Sequence, residues 1–454
     1  MRVTARRAEP GVAAIAAVLL MAGATVVWAS RTVAQRGTSG LIEVLAAAAV
    51  PLAAWFAWTR PLIVPYGLYA VAAPLDVFTL LSRHEGTIAR LLGLLSAVAL
   101  ILYAVRTQSV RTPPRAVVWL ALLCGWMALS TLWSIGEDPG REALTLLQLA
   151  GLYLAVACFP IRRRDLVPLL GFILASGVVA AAIGIYEFRS EGFQQAQFLQ
   201  AYNRINITFG QAALDPNLYG DGLLLPFAVA LTWFVRARVL VARALAAGAM
   251  LAILTALALA ASREAAIGLA IEIFVLLTAL RAWRRAILPL SAIVGGTLVA
   301  FPNVIIRALA DSGNGGSGRT SIWHVGVAAF LQHPLAGAGS GSFATVYDRW
   351  YLKISQTYDD GWHRASHDLI VHYGVELGLI GLVLLAGWCV SQWLMARALP
   401  RVGLLGDVRA ICLAAFAALA FVSFFVDLFD AKFVWLAFGL VAQARTLAVY
   451  GDRA

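Results

Sequence analysis

Residues 240–280 read LVARALAAGAMLAILTALALAASREAAIGLAIEIFVLLTAL, two apolar runs separated only by Ser262-Arg263-Glu264. A helix needs about 20 mostly apolar residues to cross the hydrocarbon of a bilayer, and the runs 240–261 and 264–280 are both near that length. The pair therefore predicts a transmembrane hairpin with a charged turn at its tip. An arginine costs up to about 2.5–3.5 kcal/mol at mid-membrane and much less at the interface. Arg263 thus marks the level at which the hairpin leaves the lipid.

Similar runs occur on both sides of this hairpin, near 11–29, 41–58, 61–81, 91–105, 116–133, 144–160, 165–187, 218–235, 286–305, 367–394, 408–426 and 431–448. They predict an all-α polytopic membrane protein with about 12 (12–14) transmembrane helices; the lower count treats 61–81 and 91–105 as one broken or re-entrant element. Composition agrees. Of 454 residues 61% are hydrophobic and 13% charged, where a soluble domain has about 25% charged residues, and the mean hydropathy is +0.81. The apolar stretch after Arg6-Arg7 is read as the first span rather than a cleaved leader, because apolar runs continue along the whole sequence.

The net charge of +11 would suggest nucleic acid in a soluble protein. Here the arginines sit in short loops, where membrane orientation accounts for them, and no nucleic-acid partner is expected. Clusters occur at Arg2/Arg6/Arg7, Arg106/Arg111/Arg115, Arg162–Arg164, Arg236/Arg238/Arg243, Arg281/Arg284/Arg285 and Arg397/Arg401/Arg409. Counting spans puts all of them on one side, so both termini are expected to be cytoplasmic. The opposite side receives Glu137-Asp138, the loop 188–217, the turn at Arg263, residues Asp427–Asp430 and one long polar stretch. This organisation divides the chain into transmembrane helices over 1–305, a large outward loop over 306–366, and transmembrane helices over 367–454.

Lipid cannot satisfy stray backbone polar groups, so irregular polar sequence must lie outside the hydrocarbon or line a wet cavity. The long loop is therefore where chemistry is sought. Within it, Arg319-Thr320-Ser321-Ile322-Trp323 predicts a helix running to His333-Pro334. After it, Gly337-x-Gly339-x-Gly341 permits either a tight structural turn or close backbone approach to a phosphate. His363 and His367 have the spacing of one helix face, yet no third ligand stands at a suitable interval, so no metal is expected. His367, at the start of a span, suits proton transfer because imidazole titrates near neutral pH. Upstream, Asp215-Pro216-Asn217 has the form of a capped helix start, while Arg204 is either a loop charge or an anion ligand. Arg263 either reaches the head groups, pairs with Glu264, or grips a lipid-linked phosphate. Asp427, Asp430 and Lys432 are expected to pair with one another. Lys occurs only at 353 and 432, neither in a P-loop context. The four cysteines lie inside apolar runs without metal-ligand spacing.

The ordered set Arg204…Phe209…Asp215-Pro216-Asn217, Ser262-Arg263, Arg319…Trp323…Pro334-Leu335-x-Gly337-x-Gly339-x-Gly341-x-Phe343 and His367-Asp368…Gly374…Gly378 resembles the O-antigen ligase and polymerase superfamily of bacterial envelopes, over about residues 200 to 395. That resemblance implies a glycosyltransferase-C-like fold and an inverting, metal-independent transfer, without any cofactor, of a glycan from undecaprenyl diphosphate. The acceptor of a ligase is a sugar hydroxyl of lipid A core, reached at the periplasmic face of the inner membrane. By motif match the catalytic residues would be Arg204, Arg263 and His367, with Arg319, Asp215, Tyr347 and His363 as substrate-binding candidates. The family commonly has Asn where this chain has Asp368, which leaves Asp368 either orienting His367 or capping the helix. An O-antigen polymerase and a lipid-linked glycan flippase or transporter are the alternatives.

Overall fold

A computed structural model describes residues 54–77, 87–190, 204–205, 207–209, 212–300, 319–354 and 363–451. The expected first span, most of the second, and the loop segments 301–318 and 355–362 lie outside the described residues. Contacts divide the chain into two compact units, Met1–Arg60 and Pro61–Ala454. Of the first, the described part is helical over 54–59.

The second unit is built from helices. In order they are α1 (Tyr66–Ala72), α2 (Ile88–Arg106), α3 (Val117–Ser130), α4 (Pro139–Ala157), α5 (Arg163–Ser190), α6 (Pro216–Gly222), α7 (Leu224–Arg236), α8 (Leu240–Ala260), α9 (Arg263–Leu280), α10 (Trp283–Ala300), α11 (Arg319–Phe330), α12 (Phe343–Ile354), α13 (Leu369–Ala398), α14 (Gly403–Val422) and α15 (Lys432–Tyr450). A two-residue antiparallel hairpin, Thr208–Phe209 with Ala212–Ala213, precedes α6.

Among the described residues, seven helical stretches are long and apolar enough to cross a membrane, which supports a multi-pass membrane protein; the expected 12–14 also counts runs that lie outside the described residues. Part of the difference has a local cause. The run 61–81 is a short helix followed by a 3-10 turn at Ala73–Leu75, separate from α2. Helices α4 and α9 have spanning length but carry charges, Arg141 and Glu142 in the one and Arg263, Glu264 and Glu272 in the other.

Helix α2 shows why these helices suit lipid. Ala89, Gly93, Ser96, Leu100 and Ala104 recur at helical spacing and are buried, while Leu91, Leu94, Val98, Leu102 and Val105 point outward. Small residues inside allow close helix approach, and large apolar residues face the surroundings, as membrane helices require. The shared core is aromatic where α4, α13 and α15 meet: Trp388 is fully buried, with ring centroids 4.9 Å from Tyr153, 6.1 Å from Trp435 and 5.4 Å from Phe438.

Two of the arginine-bearing turns are tied to neighbouring elements. Arg236 forms an ion pair of 2.7 Å with Asp407, joining the α7–α8 turn to α14, and the Arg111 amide donates to Cys158 O at 2.9 Å. At the opposite end α11 and α12 enclose a small apolar core of their own, including Ile322, Val325, Phe343, Tyr347 and Val375.

The glycine-rich loop resolves into a backbone clamp rather than a phosphate cradle. Helix α13 kinks at Gly378 (φ 66°, ψ −165°), which frees backbone groups on either side of the break. The loop satisfies them: Ala338 N donates to Val375 O and Gly339 N to Glu376 O, both at 2.8 Å, while Leu379 N donates to Pro334 O at 2.8 Å and Ile380 N to Leu335 O at 3.2 Å. Gly337 and Gly339 both have positive φ, and a Cβ on either would overlap backbone of Glu376 or Ser134. The kink also divides α13 into a short segment before Gly378 and a remainder of about 20 residues, roughly 30 Å, which is one bilayer crossing.

Candidate active site

The turn between α8 and α9 organises the site. Helix α8 ends at Ala261, whose φ of 47° is left-handed, and Ser262 then caps α9, its hydroxyl accepting from Ala265 N at 3.3 Å. Arg263 is accordingly the first residue of a rigid helix, half-buried. Arg204 is fastened to the same turn: its Nε donates to Ala260 O at 2.8 Å and an Nη donates to Asn217 Oδ1. A guanidinium on the last carbonyls of α8 complements the negative end of that helix. Ile205 N donates to Leu259 O at 3.0 Å, so the backbone carrying Arg204 is tied down as well.

Asp215 caps α6, with Oδ1 accepting from Asn217 N at 2.6 Å. Asp368 does the same for α13, accepting from Ile370 N at 2.7 Å and Val371 N at 2.8 Å. Of the two roles open to Asp368, its carboxylate takes that of the helix cap. Arg319, at the start of α11, reaches Glu264 Oε1 at 3.4 Å. The starts of α6, α9, α11 and α13 thus face one region, and helix N-termini carry partial positive charge that favours anions.

His367 precedes α13 in a left-handed conformation, φ 49°. Arg319, Asp215, Arg364 and Glu264 all lie close enough to act on its charge. Burial pushes the imidazole below its ordinary range and Arg319 adds to that effect, against the opposing pull of Asp215. A neutral imidazole at neutral pH can accept a proton. Its strand is held by Trp323, whose indole N–H donates to Ser366 O at 3.2 Å.

Of the sequence-predicted residues, Arg204, Arg263, Arg319, Asp215 and His367 are brought to this region, and Tyr347 and His363 are used elsewhere. Tyr347 is buried in the α11–α12 core, stacked with Tyr351 at 5.3 Å and Phe343 at 6.5 Å. His363 is exposed and hydrogen-bonds Asp348 and, at 3.2 Å, Glu137, which raise its pKa. It does not share a helix face with His367, since both residues have positive φ outside any helix. Glu264 pairs with Arg319, and among the described residues Lys432 pairs with Asp76 rather than with Asp427 or Asp430.

Two residues at this region were not singled out by sequence. Asp221 is fully buried, its two carboxylate oxygens have no hydrogen-bond partner among the described residues, and it lies in the field of Glu264, Asp215 and Arg319. Arg364 has a buried Nε without a hydrogen-bond partner among the described residues. The signal for Asp221 was available, since Asp inside an apolar span is rarely idle.

Helices of membrane-crossing length support a multi-pass membrane protein, and arginines, capped helix starts and a histidine whose pKa is lowered by burial are gathered in one region of it. Residues 248–386 match the family model described as O-Antigen ligase, and the chain carries an O-antigen ligase family domain over that segment. The matched segment includes Arg263, Arg319 and His367; Arg204 and Asp215 lie before it. No curated protein matches the chain.

Proposed function

We propose that the protein is an O-antigen ligase, transferring a glycan from undecaprenyl diphosphate to a sugar hydroxyl of lipid A core. The observation that carries this reading is the gathering of Arg204, the Arg263 turn, Arg319 and a neutral His367 around capped helix starts. Family membership of residues 248–386 supports it.

In this mechanism Arg204 and Arg263 hold the diphosphate, where guanidinium forks bind oxyanions bidentately and a partly dehydrated site strengthens the attraction. His367 takes the proton of the incoming hydroxyl. The hydroxyl oxygen forms a bond to the anomeric carbon as the bond from that carbon to the phosphate oxygen breaks, and the electron pair departs on the diphosphate. Attack opposite the leaving group inverts the anomeric centre. The leaving group needs no general acid and the reaction needs no nucleotide or metal. The site would face the periplasm across the inner membrane, with both termini cytoplasmic and residues 306–366 forming the outward loop.

The test is the lipopolysaccharide gel pattern of a deletion strain. Loss of all O-antigen from lipid A core, with lipid-linked polymer accumulating, is expected. Core bearing one repeat would instead identify a polymerase, and an unchanged ladder would overturn the proposal.

A further inference from the structure

A second cluster of polar groups lies on the other side of the α13 start, and the reaction above makes no use of it. His372, Glu376 and Glu142 offer three ligand atoms within 4.8 Å of one another. His372 Nε2 stands 3.5 Å from Glu376 Oε2 and 3.8 Å from Glu142 Oε2. At these separations both carboxylates are ion-paired with His372 when it is protonated. The same separations approach the edge of a tetrahedron whose centre is about 2.0–2.1 Å from each nitrogen or oxygen, an edge of roughly 3.3 Å.

The surroundings have the form of an outer ligand shell. The other ring nitrogen of His372, Nδ1, faces Asp427 Oδ2 at 3.4 Å. A carboxylate behind a ligating imidazole fixes its tautomer and raises its basicity, and this is the usual partner of a metal-bound histidine. Glu376 is only 1% exposed, and its carboxylate is oriented from behind by Gly341 N and Phe343 N, both donating at 2.9 Å. Two backbone donors leave lone pairs of Glu376 directed toward His372 and Glu142. Among the described residues, the one cation partner of Glu142, Glu376 and Asp427 is His372.

Glu142 and His372 also line a cavity of about 970 Å³, bordered by Asp427, Asp430 and Lys432. The cluster therefore has an inner wall, Glu376, and an open side through which an ion and water ligands can enter.

We propose that Glu142, His372 and Glu376 bind one divalent transition-metal cation of the zinc class, with Asp427 positioning His372. Two carboxylates and one imidazole suit such an ion, and water from the cavity completes its coordination. The ion ties the first turn of α4 to the segment of α13 before its kink, and through Glu376 to the glycine loop. It stands outside the transfer step, so the inference is independent of the proposed function.

The test uses the full-length, tag-free protein in detergent, stripped with chelator and then titrated with Zn²⁺, metal content being read by mass spectrometry after gel filtration. One Zn²⁺ per chain is expected, together with a rise in the melting temperature. Affinity should fall at least 100-fold in His372→Ala and in the near-isosteric Glu142→Gln, and about 10- to 100-fold in Asp427→Asn, the range for losing an outer-shell partner. His333→Ala, remote from the cluster in sequence and contacts, should bind as wild type. Each variant is first required to elute as wild type, and Glu142→Gln, altering one cavity-lining oxygen, serves if His372→Ala does not. Wild-type protein that retains no metal, or binding unaltered in Glu142→Gln, would overturn the proposal.

Discussion

Arg319 Nη2 lies 3.4 Å from Glu264 Oε1, with side chains 17% and 8% exposed, and this ion pair fastens the start of α11 to the start of α9. A pair so enclosed contributes less through attraction than through what its loss leaves behind, because an abandoned buried charge has no solvent to turn to.

Arg319→Gln is expected to lower thermal stability in detergent, by about 3–5 kcal/mol if Glu264 stays ionised, and to alter the pH profile of transfer. Arg319 holds the His367 pKa down, so its removal raises that pKa. A base that must be neutral is active above its pKa and lost as pH falls through it. The acid limb of the rate profile should therefore move to higher pH in Arg319→Gln. An acid limb that stays in place would separate Arg319 from His367.

Substitution within the proposed clamp should affect reaction rather than insertion. Arg263→Ala and His367→Ala are expected to reach the membrane and to reduce transfer at least 100-fold, measured with purified protein and lipid-linked donor. Arg204→Lys retains the charge but not the fork that spans Ala260 O and Asn217 Oδ1, so at least a tenfold loss is expected despite the conserved charge. Normal transfer by Arg263→Ala would defeat the diphosphate clamp.

Asp368 discriminates capping from catalysis. Asn also accepts from Ile370 N and Val371 N, so Asp368→Asn should be nearly neutral, while Asp368→Ala should cost about 1 kcal/mol of stability. Loss of transfer in a stable Asp368→Asn variant would mean that the carboxylate's charge acts on His367.

The clamp around the α13 kink predicts a steric outcome. Gly337→Ala places a methyl group against the Glu376 carbonyl at a backbone φ of 70°, combining overlap with left-handed strain. Expression and gel-filtration yield should fall sharply, whereas Gly125→Ala, with open space around its Cα, should be tolerated.

Within α9, Glu272 is fully buried and neither carboxylate oxygen has a hydrogen-bond partner among the described residues. Burying a polar group without a partner costs about 1–3 kcal/mol, so Glu272→Leu is expected to raise the melting temperature in detergent. A marked destabilisation would point to a partner that the carboxyl requires.

The sequence by itself determined that the chain is a helical membrane protein, because twenty-residue apolar runs and arginine-rich short loops are local consequences of lipid and charge. It also located the turn at Arg263, the helix start at Asp215 and the family segment, since caps, charged hinges and motif order are written along one dimension. Only tertiary structure decided partners. Glu264 joins Arg319 from 55 positions away, and Lys432 turns to Asp76 instead of its neighbours Asp427 and Asp430. The glycines of residues 337–341 clamp a kink in α13, and His372, one turn inside that helix, gathers Glu142 and Asp427 from two other elements. Sequence spacing fixes which residues share a helix face, but which faces meet depends on how helices pack, and buried charges are paired by that packing alone.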